Sequence, residues 1–391
     1  MDILNKKLEI LKQKIDSNKK IKIAILGLGS VGNYLLDFLN SWDEKNIEIY
    51  IGARDTQKAQ KDINISSVSS IIRYNRKKDI KIKQVDLENI SSIESFISEI
   101  QPDFIVNSSR VYSGLKYGSI SWNTIRAYGL WAPLAIKFIK NIMQAYKNTK
   151  SNAIVINTSY SDAVIAWLKS ANLAYPDFGS GNLNHLIPRI KMAIMEEYDF
   201  DNIDDIEIVL ATSHFHDVVI SKEGQNENVK PLINIKYKDE IINCDIEKIW
   251  KKCAIAMPTD AKRNMMNAGS NFEIIRKIVS SLKNNTNEII HSPGVVGEIG
   301  GYPLEINGNC AKIKFNEKYF SLSQMQEANK ASIYLDGIEK IEHGSLFYTD
   351  ELIQKVKKHF NVEIIKEVKF ENIEQTAEFI IKNIIEKQIK G

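Results

Sequence analysis

Cysteine is scarce: Cys244, Cys253 and Cys310 are the only three in a chain of 391 residues. They stand far apart and form no metal or redox pair motif, so no disulfide framework and no metal site is expected. Such usage fits a reducing, cytoplasmic compartment. An excess of one charge is missing too. The 52 basic and 49 acidic residues leave a net charge of +3. They are well mixed, and without a dense basic stripe no nucleic-acid partner is expected. No apolar run is long enough to span a bilayer, which argues against a membrane partner. The first residues, Met1-Asp2-Ile3-Leu4-Asn5-Lys6-Lys7, are broken by charge and do not read as a signal peptide. Glycine (19) and proline (8) are sparse, and no low-complexity segment or obvious linker appears.

What is present is an ordered alternation. The length exceeds one ordinary core, so two packed domains are expected, 1–160 and 161–391. Ile3, Leu4, Leu8, Leu11 and Ile15 recur at helical spacing in a lead-in helix over 1–19. Strands are expected at 21–26, 47–51, 81–85, 103–107 and 153–156, with helices at 31–39, 90–100 and 131–146 between them. This alternation predicts an α/β fold, a Rossmann-type doubly wound parallel sheet. The second half reads as an α+β domain. Its expected strands lie at 206–212 and 218–221, with hairpins at 232–244 and 302–315. Its expected helices lie at 272–282, 349–359 and 373–387, and the last of these can pack back on the first domain.

The strongest motif is Lys22-Ile23-Ala24-Ile25-Leu26-Gly27-Leu28-Gly29-Ser30-Val31-Gly32. Its glycines have the G-x-G-x-x-G spacing, after a strand and at the opening of a helix. Gly27 permits a tight turn, Gly29 lets backbone approach a pyrophosphate, and Gly32 allows close helix–strand packing. Ser30 and Val31 begin the helix. The second strand ends in Gly52-Ala53-Arg54-Asp55. NAD sites carry an acid at this strand end, on the ribose hydroxyls; a guanidinium instead pairs with a 2′-phosphate. Arg54 therefore points to NADP(H). NAD remains the alternative, with Asp55 on the ribose. Asp86 ends the third strand towards the adenine. Asn107, Ser108 and Ser109 end the fourth, along the pyrophosphate and nicotinamide ribose, and Asn157 ends the fifth.

With these motifs, residues 23–109 resemble the saccharopine-dehydrogenase-type NADP-binding domain. The resemblance rests on the glycine loop, Gly52-Ala53-Arg54-Asp55, Val85-Asp86-Leu87 and Phe104-Ile105-Val106-Asn107. It covers about the first quarter of the chain and implies a cofactor class. The middle is faintly similar to lactate and malate dehydrogenases. Asn157 at a strand end, Asp162 to Trp167, Gly179 to Asn184 and Ser213-His214-Phe215-His216-Asp217 carry that echo. Asn184 stands where those enzymes have an acid, and Arg189 is displaced from their arginine, so the partner of a catalytic histidine is missing from its place.

Hydride transfer to a carbonyl or imine needs a cation for a substrate carboxylate and a proton donor. Arg110, Arg126 and Arg189 are the candidate cations, Arg110 first because it follows the fourth strand. His214 and His216 are the candidate donors, taken as i and i+2 on one face of a strand; Tyr112 and Lys116 are weaker ones. The glycine-rich run 294–301 reads as a tight connection before a strand pair. The expectation is an NADP(H)-dependent oxidoreductase acting on a small carboxylate-bearing carbonyl or imine compound, as a homodimer. A reductive-amination enzyme of the opine type and a non-catalytic dinucleotide-binding protein are the alternatives.

Overall fold

In the computed structural model, which describes residues 1–112 and 114–390 without the side chains of 115, 116, 119, 389 and 390, six parallel strands form the central sheet. They are β1 (Ile21–Leu26), β2 (Ile47–Ala53), β3 (Asp79–Gln84), β4 (Phe104–Asn107), β5 (Ile154–Asn157) and β6 (Phe178–Gly179). Their order is β3-β2-β1-β4-β5-β6. Leu26 pairs with Gly52 on one side and Asn107 on the other. The loops after Leu26, Ala53 and Asn107 therefore leave the same edge. The order reverses between β1 and β4, and a crevice opens at such a switch point. The donor candidate Lys116 lies outside the described side chains.

Both faces of the sheet are buried at β1, β2, β4 and β5, which is why these strands read as continuous apolar runs. Ile23, Ile25, Ile49 and Phe104 face one core, Ala24, Leu26, Ile105 and Val155 the other. The first core is covered by α1 (Asp2–Asp16), α2 (Ser30–Ser41) and a long later helix. The second is covered by α4 (Ile90–Ile100) and α6 (Ala132–Asn148). Between these lie α3 (Thr56–Tyr74) and α5 (Gly114–Ile120). Pro133 sits in the first turn of α6, where its missing N–H costs nothing.

The chain continues through α7 (Ser161–Ser170), α8 (Leu183–Tyr198), β7 (Ile206–Ala211), α9 (His214–Glu223), β8 (Leu232–Tyr237), β9 (Glu240–Ile241), α10 (Ile246–Cys253) and α11 (Asn264–Asn284). Helix α11 packs on α2 and closes the first core. A third apolar cluster, with Leu186, Phe215, Ile235 and Trp250, joins α8, α9, α10 and the sheet β7-β8-β9. Two further antiparallel sheets follow, one of strands 287–293, 301–307 and 312–315, the other of 338–342, 345–348 and 367–369. Helix α12 (Leu322–Leu335) lies between them, and the helix Ile373–Ile380 packs on α6.

One local expectation changes, and the helices α3 and α8 have no expected counterpart. Residues 218–221 are helical, inside α9, not a strand: His214 to Ser221 are all buried, so their apolar run shows no helical periodicity. Helix α3 has no expected counterpart because its apolar residues lie on two sides: Ala59 and Ile63 are buried, whereas Ile65, Val68 and Ile72 are 71%, 58% and 79% exposed. Helix α8 carries Pro188 inside it. The glycine run 294–301 is a tight connection: Gly294, Gly297 and Gly300 have φ of 67°, 79° and 82°, and a side chain on Gly300 would strike Asn329. No described helix is long and apolar enough to cross a membrane.

Candidate active site

A crevice of about 980 Å³ runs along the carboxyl edge of β1, β2 and β4 and under α9. Gly27, Gly29, Arg54, Asp86 and Ser109 line one end; Tyr128, His185, His214, Asp217 and Arg263 line the other.

At the first end the glycines divide the work. Gly27 has φ of 93°, and a Cβ there would lie 1.8 Å from Ser109 Oγ. A Cβ on Gly32 would lie 2.2 Å from the Gly27 carbonyl oxygen, so helix and strand touch backbone to backbone. A Cβ on Gly29 would meet nothing within 4 Å: its backbone faces open crevice at the N-cap of α2. A diphosphate on helix N–H groups needs this opening. The hydroxyls of Ser108 and Ser109 donate to the carbonyls of Gly27 and Leu26, tying the β4 loop to the glycine loop. The residues fit a dinucleotide.

Ser30, Val31, Ala53, Arg54, Asp55, Asp86, Ser108 and Ser109 line the crevice with Gly27 and Gly29. Asp55 accepts from the Lys58 N–H as the N-cap of α3, and Asp86 accepts from the Glu88 N–H. Arg54 is exposed, with no hydrogen bond or ion pair among the described residues. Gly32, Asn107 and Asn157 lie behind the lining. The Asn107 amide donates to Asn157 Oδ1 at 2.9 Å, and both side chains are fully buried. They brace the β4–β5 edge.

At the other end, His214 opens α9 with its Nδ1 2.9 Å from Asp336 Oδ2. Asp336 sits just past α12 and is fully buried. Its Oδ2 also accepts the Tyr160 hydroxyl at 2.7 Å, and its Oδ1 the Tyr128 N–H at 2.8 Å. The rings of Tyr128 and Tyr160 meet the imidazole edge-on, at 4.6 and 5.3 Å. The ring is thus fixed with Nδ1–H on the carboxylate, which leaves Nε2 for a ligand. Burial disfavours a charged imidazole, but Asp336, then Asp162 and Asp217, outweigh it and hold the His214 pKa above the ordinary histidine value. Asp162 accepts from the His214 N–H and the Asn182 amide, and burial pushes its carboxyl up to about 6.

His216 does not line this crevice. Its Nδ1 lies 2.6 Å from Ser332 Oγ, its Nε2 2.6 Å from the Val229 carbonyl, and burial holds its pKa low. On a helix, i and i+2 point apart, so the pair expected on one strand face is split. Arg110 lines the crevice and is exposed; Tyr112 lines it too. Arg126 does not: its guanidinium pairs with Glu223 and Glu227, both at 2.6 Å. Arg189 is buried, donating to the Cys253 carbonyl and Met257 Sδ, and borders a separate cleft of about 870 Å³.

Asp336, Tyr128, Tyr160, His185, Asp217, Arg263 and Lys222 were not singled out for this site by the sequence. Asp217 alone had a local signal: it lies one helical turn after His214, so i and i+3 share a face. Among the described residues no group of three or more His, Cys, Asp or Glu could hold a metal ion. The three cysteines are unpaired.

No protein-family model matches the chain, and no curated protein matches its sequence. The resemblance of residues 23–109 to saccharopine-type domains thus has no family model behind it. Solved structures do match. Malate dehydrogenase of Cryptosporidium parvum is 13% identical with a TM-score of 0.55, over 87% of this chain and 99% of its own. A lactate dehydrogenase from a Medee basin deep-sea metagenome library is 15% identical with a TM-score of 0.52, over 81% and 97%. Lactate dehydrogenase of Cryptosporidium parvum, solved with lactic acid and nicotinamide adenine dinucleotide, is 13% identical with a TM-score of 0.54, over 81% and 95%. At such identities the likeness is one of fold: over about four fifths of its length this chain shares the architecture of those lactate and malate dehydrogenases.

Proposed function

We infer that the protein is a nicotinamide-dinucleotide-dependent oxidoreductase, with NADP(H) preferred, acting on a small carboxylate-bearing carbonyl or imine compound. The observation that carries the reading is the His214–Asp336 pair, 2.9 Å apart, in the crevice that begins at the glycine loop. When bound, the dinucleotide supplies or accepts the hydride. The chain does the rest. His214 gives or takes the proton at the substrate oxygen or nitrogen from Nε2, and Asp336 fixes its tautomer and steadies the imidazolium. Arg110 and Arg263 are the cations for the carboxylate. Arg54, exposed and unpaired at the end of β2, favours a 2′-phosphate over a bare ribose. The fold shared with malate and lactate dehydrogenases supports the reaction class.

The homodimer is retained as part of the proposal. The apolar stripe Ile65, Val68 and Ile72 on α3 stands open to solvent, and such a patch is a protein-contact surface by its chemistry. A cytoplasmic setting fits the three unpaired cysteines.

The test is NADPH oxidation over a panel of 2-oxo acids, each with and without a primary amine, for wild type and His214→Gln. Turnover by wild type that His214→Gln lowers about 10²- to 10⁴-fold supports the reading. Turnover that His214→Gln leaves intact removes His214 from the chemistry.

A further inference from the structure

We propose that the inner end of the crevice is built for a ligand that carries an ammonium group beside a carboxylate, that is, an amino acid, with Asp217 as the seat of the ammonium. This rests on the oxidoreductase reading and names its substrate class.

Asp217 lies in the first turn of α9, three residues after His214, and both line the crevice. Its side chain is 7% exposed. Oδ1 is closed from solvent and has no hydrogen-bond donor. The other oxygen accepts no hydrogen bond among the described residues; His185 Nδ1 lies 3.7 Å from it, too long for one. A buried carboxylate without donors is costly, and native structures supply the missing partner from protein, water or ligand. His185 repeats the pattern from the facing helix. It lines the crevice, and its Nε2 is buried with no partner.

The complementary charge stands nearby. Arg263 and Lys222 line the same crevice. Among the described residues neither side chain forms an ion pair or hydrogen bond; Lys222 only lies 6.0 Å from the Trp122 ring. Arg126, which could have neutralised this wall, is already held by Glu223 and Glu227. An anion short of donors and two unpaired cations in one cavity select a zwitterion. A plain oxo or hydroxy acid satisfies Arg263 and leaves Asp217 bare. An amino acid satisfies both, with its ammonium on the Asp217 carboxylate.

The experiment has two parts. Binding of NADPH and of NADH to the wild-type protein comes first, by fluorescence titration. The protein saturated with the cofactor it binds is then titrated calorimetrically with glycine, L-alanine, L-glutamate, L-lysine and L-phenylalanine, their N-acetyl derivatives, and the corresponding 2-hydroxy acids. At least one free amino acid is expected to bind ten-fold or more tighter than both its N-acetyl and its 2-hydroxy counterparts. Asp217→Asn is expected to remove that ratio. Equal binding of the three forms overturns the proposal on wild-type protein alone, even if Asp217→Asn fails to fold. So does a variant that weakens amino and hydroxy acids by the same factor, which makes Asp217 structural. Failure of NADPH and NADH alike to bind overturns the oxidoreductase reading, and this proposal with it; cofactor binding without ammonium selection overturns this proposal only.

Discussion

Nδ1 of His214 lies 2.9 Å from Oδ2 of Asp336, although 122 residues separate them. The carboxylate arrives from the turn after α12, and two tyrosines hold it in place. Position 184 holds Asn184, and the carboxylate beside His214 comes from another part of the chain.

Asp336→Asn keeps the shape and removes the charge. Its expected effect is a fall in kcat of about 10²- to 10⁴-fold, with a smaller change in KM. The His214 titration, followed by NMR, should move down, because burial would then act with less opposition. The sign for stability follows: with its folded pKa raised, His214 contributes stability below its unfolded value of about 6.5, and the contribution disappears as pH rises through the folded value. Wild type minus variant stability should therefore shrink between acid and mildly alkaline pH. A His214 titration unmoved by the substitution contradicts the pairing.

Asp162 has a pH dependence of the same sign, in a lower range. Its carboxyl is pushed up from 3.8 to about 6 by burial, so the folded state holds a proton that the unfolded chain has released. Stability from this group falls as pH rises from about 4 to 6 and is flat above. The shift corresponds to about 3 kcal/mol. Asp162→Asn carries no such dependence. Urea unfolding at pH 4 and pH 7 should show wild type losing on that order relative to the variant; parallel curves refute the shift.

Two glycines separate fold from function. Gly32→Ala puts a methyl 2.2 Å from the Gly27 carbonyl and should cost about 1–3 kcal/mol in unfolding free energy. Gly29→Ala meets nothing within 4 Å and should leave stability within about 0.5 kcal/mol, while weakening the dinucleotide whose backbone contact it obstructs. Equal destabilisation by both would remove the distinction.

The parallel sheet was legible because its signals are local: apolar runs, turn glycines and the strand–helix rhythm of residues 21–157. The glycine loop was legible for the same reason. Asp336 and Arg263 were not, since an acid after a helix and an arginine before one carry no local mark; only tertiary folding brings the first to His214 and the second to the same crevice. His216 and Arg189 were attractive by residue type, yet buried hydrogen bonds absorb both. The α9 segment misled because a helix buried all round has the composition of a buried strand.

The central claim is tested most directly by titrating NADPH and NADH against wild type and Arg54→Ala, read by cofactor fluorescence. NADPH is expected to bind wild type at least ten-fold more tightly than NADH, a difference of about 1.4 kcal/mol, and Arg54→Ala should abolish that preference by weakening NADPH alone. Equal binding of the two cofactors would make Arg54 a bystander and the site one for NAD. Binding of neither would contradict the claim that this crevice is a dinucleotide site.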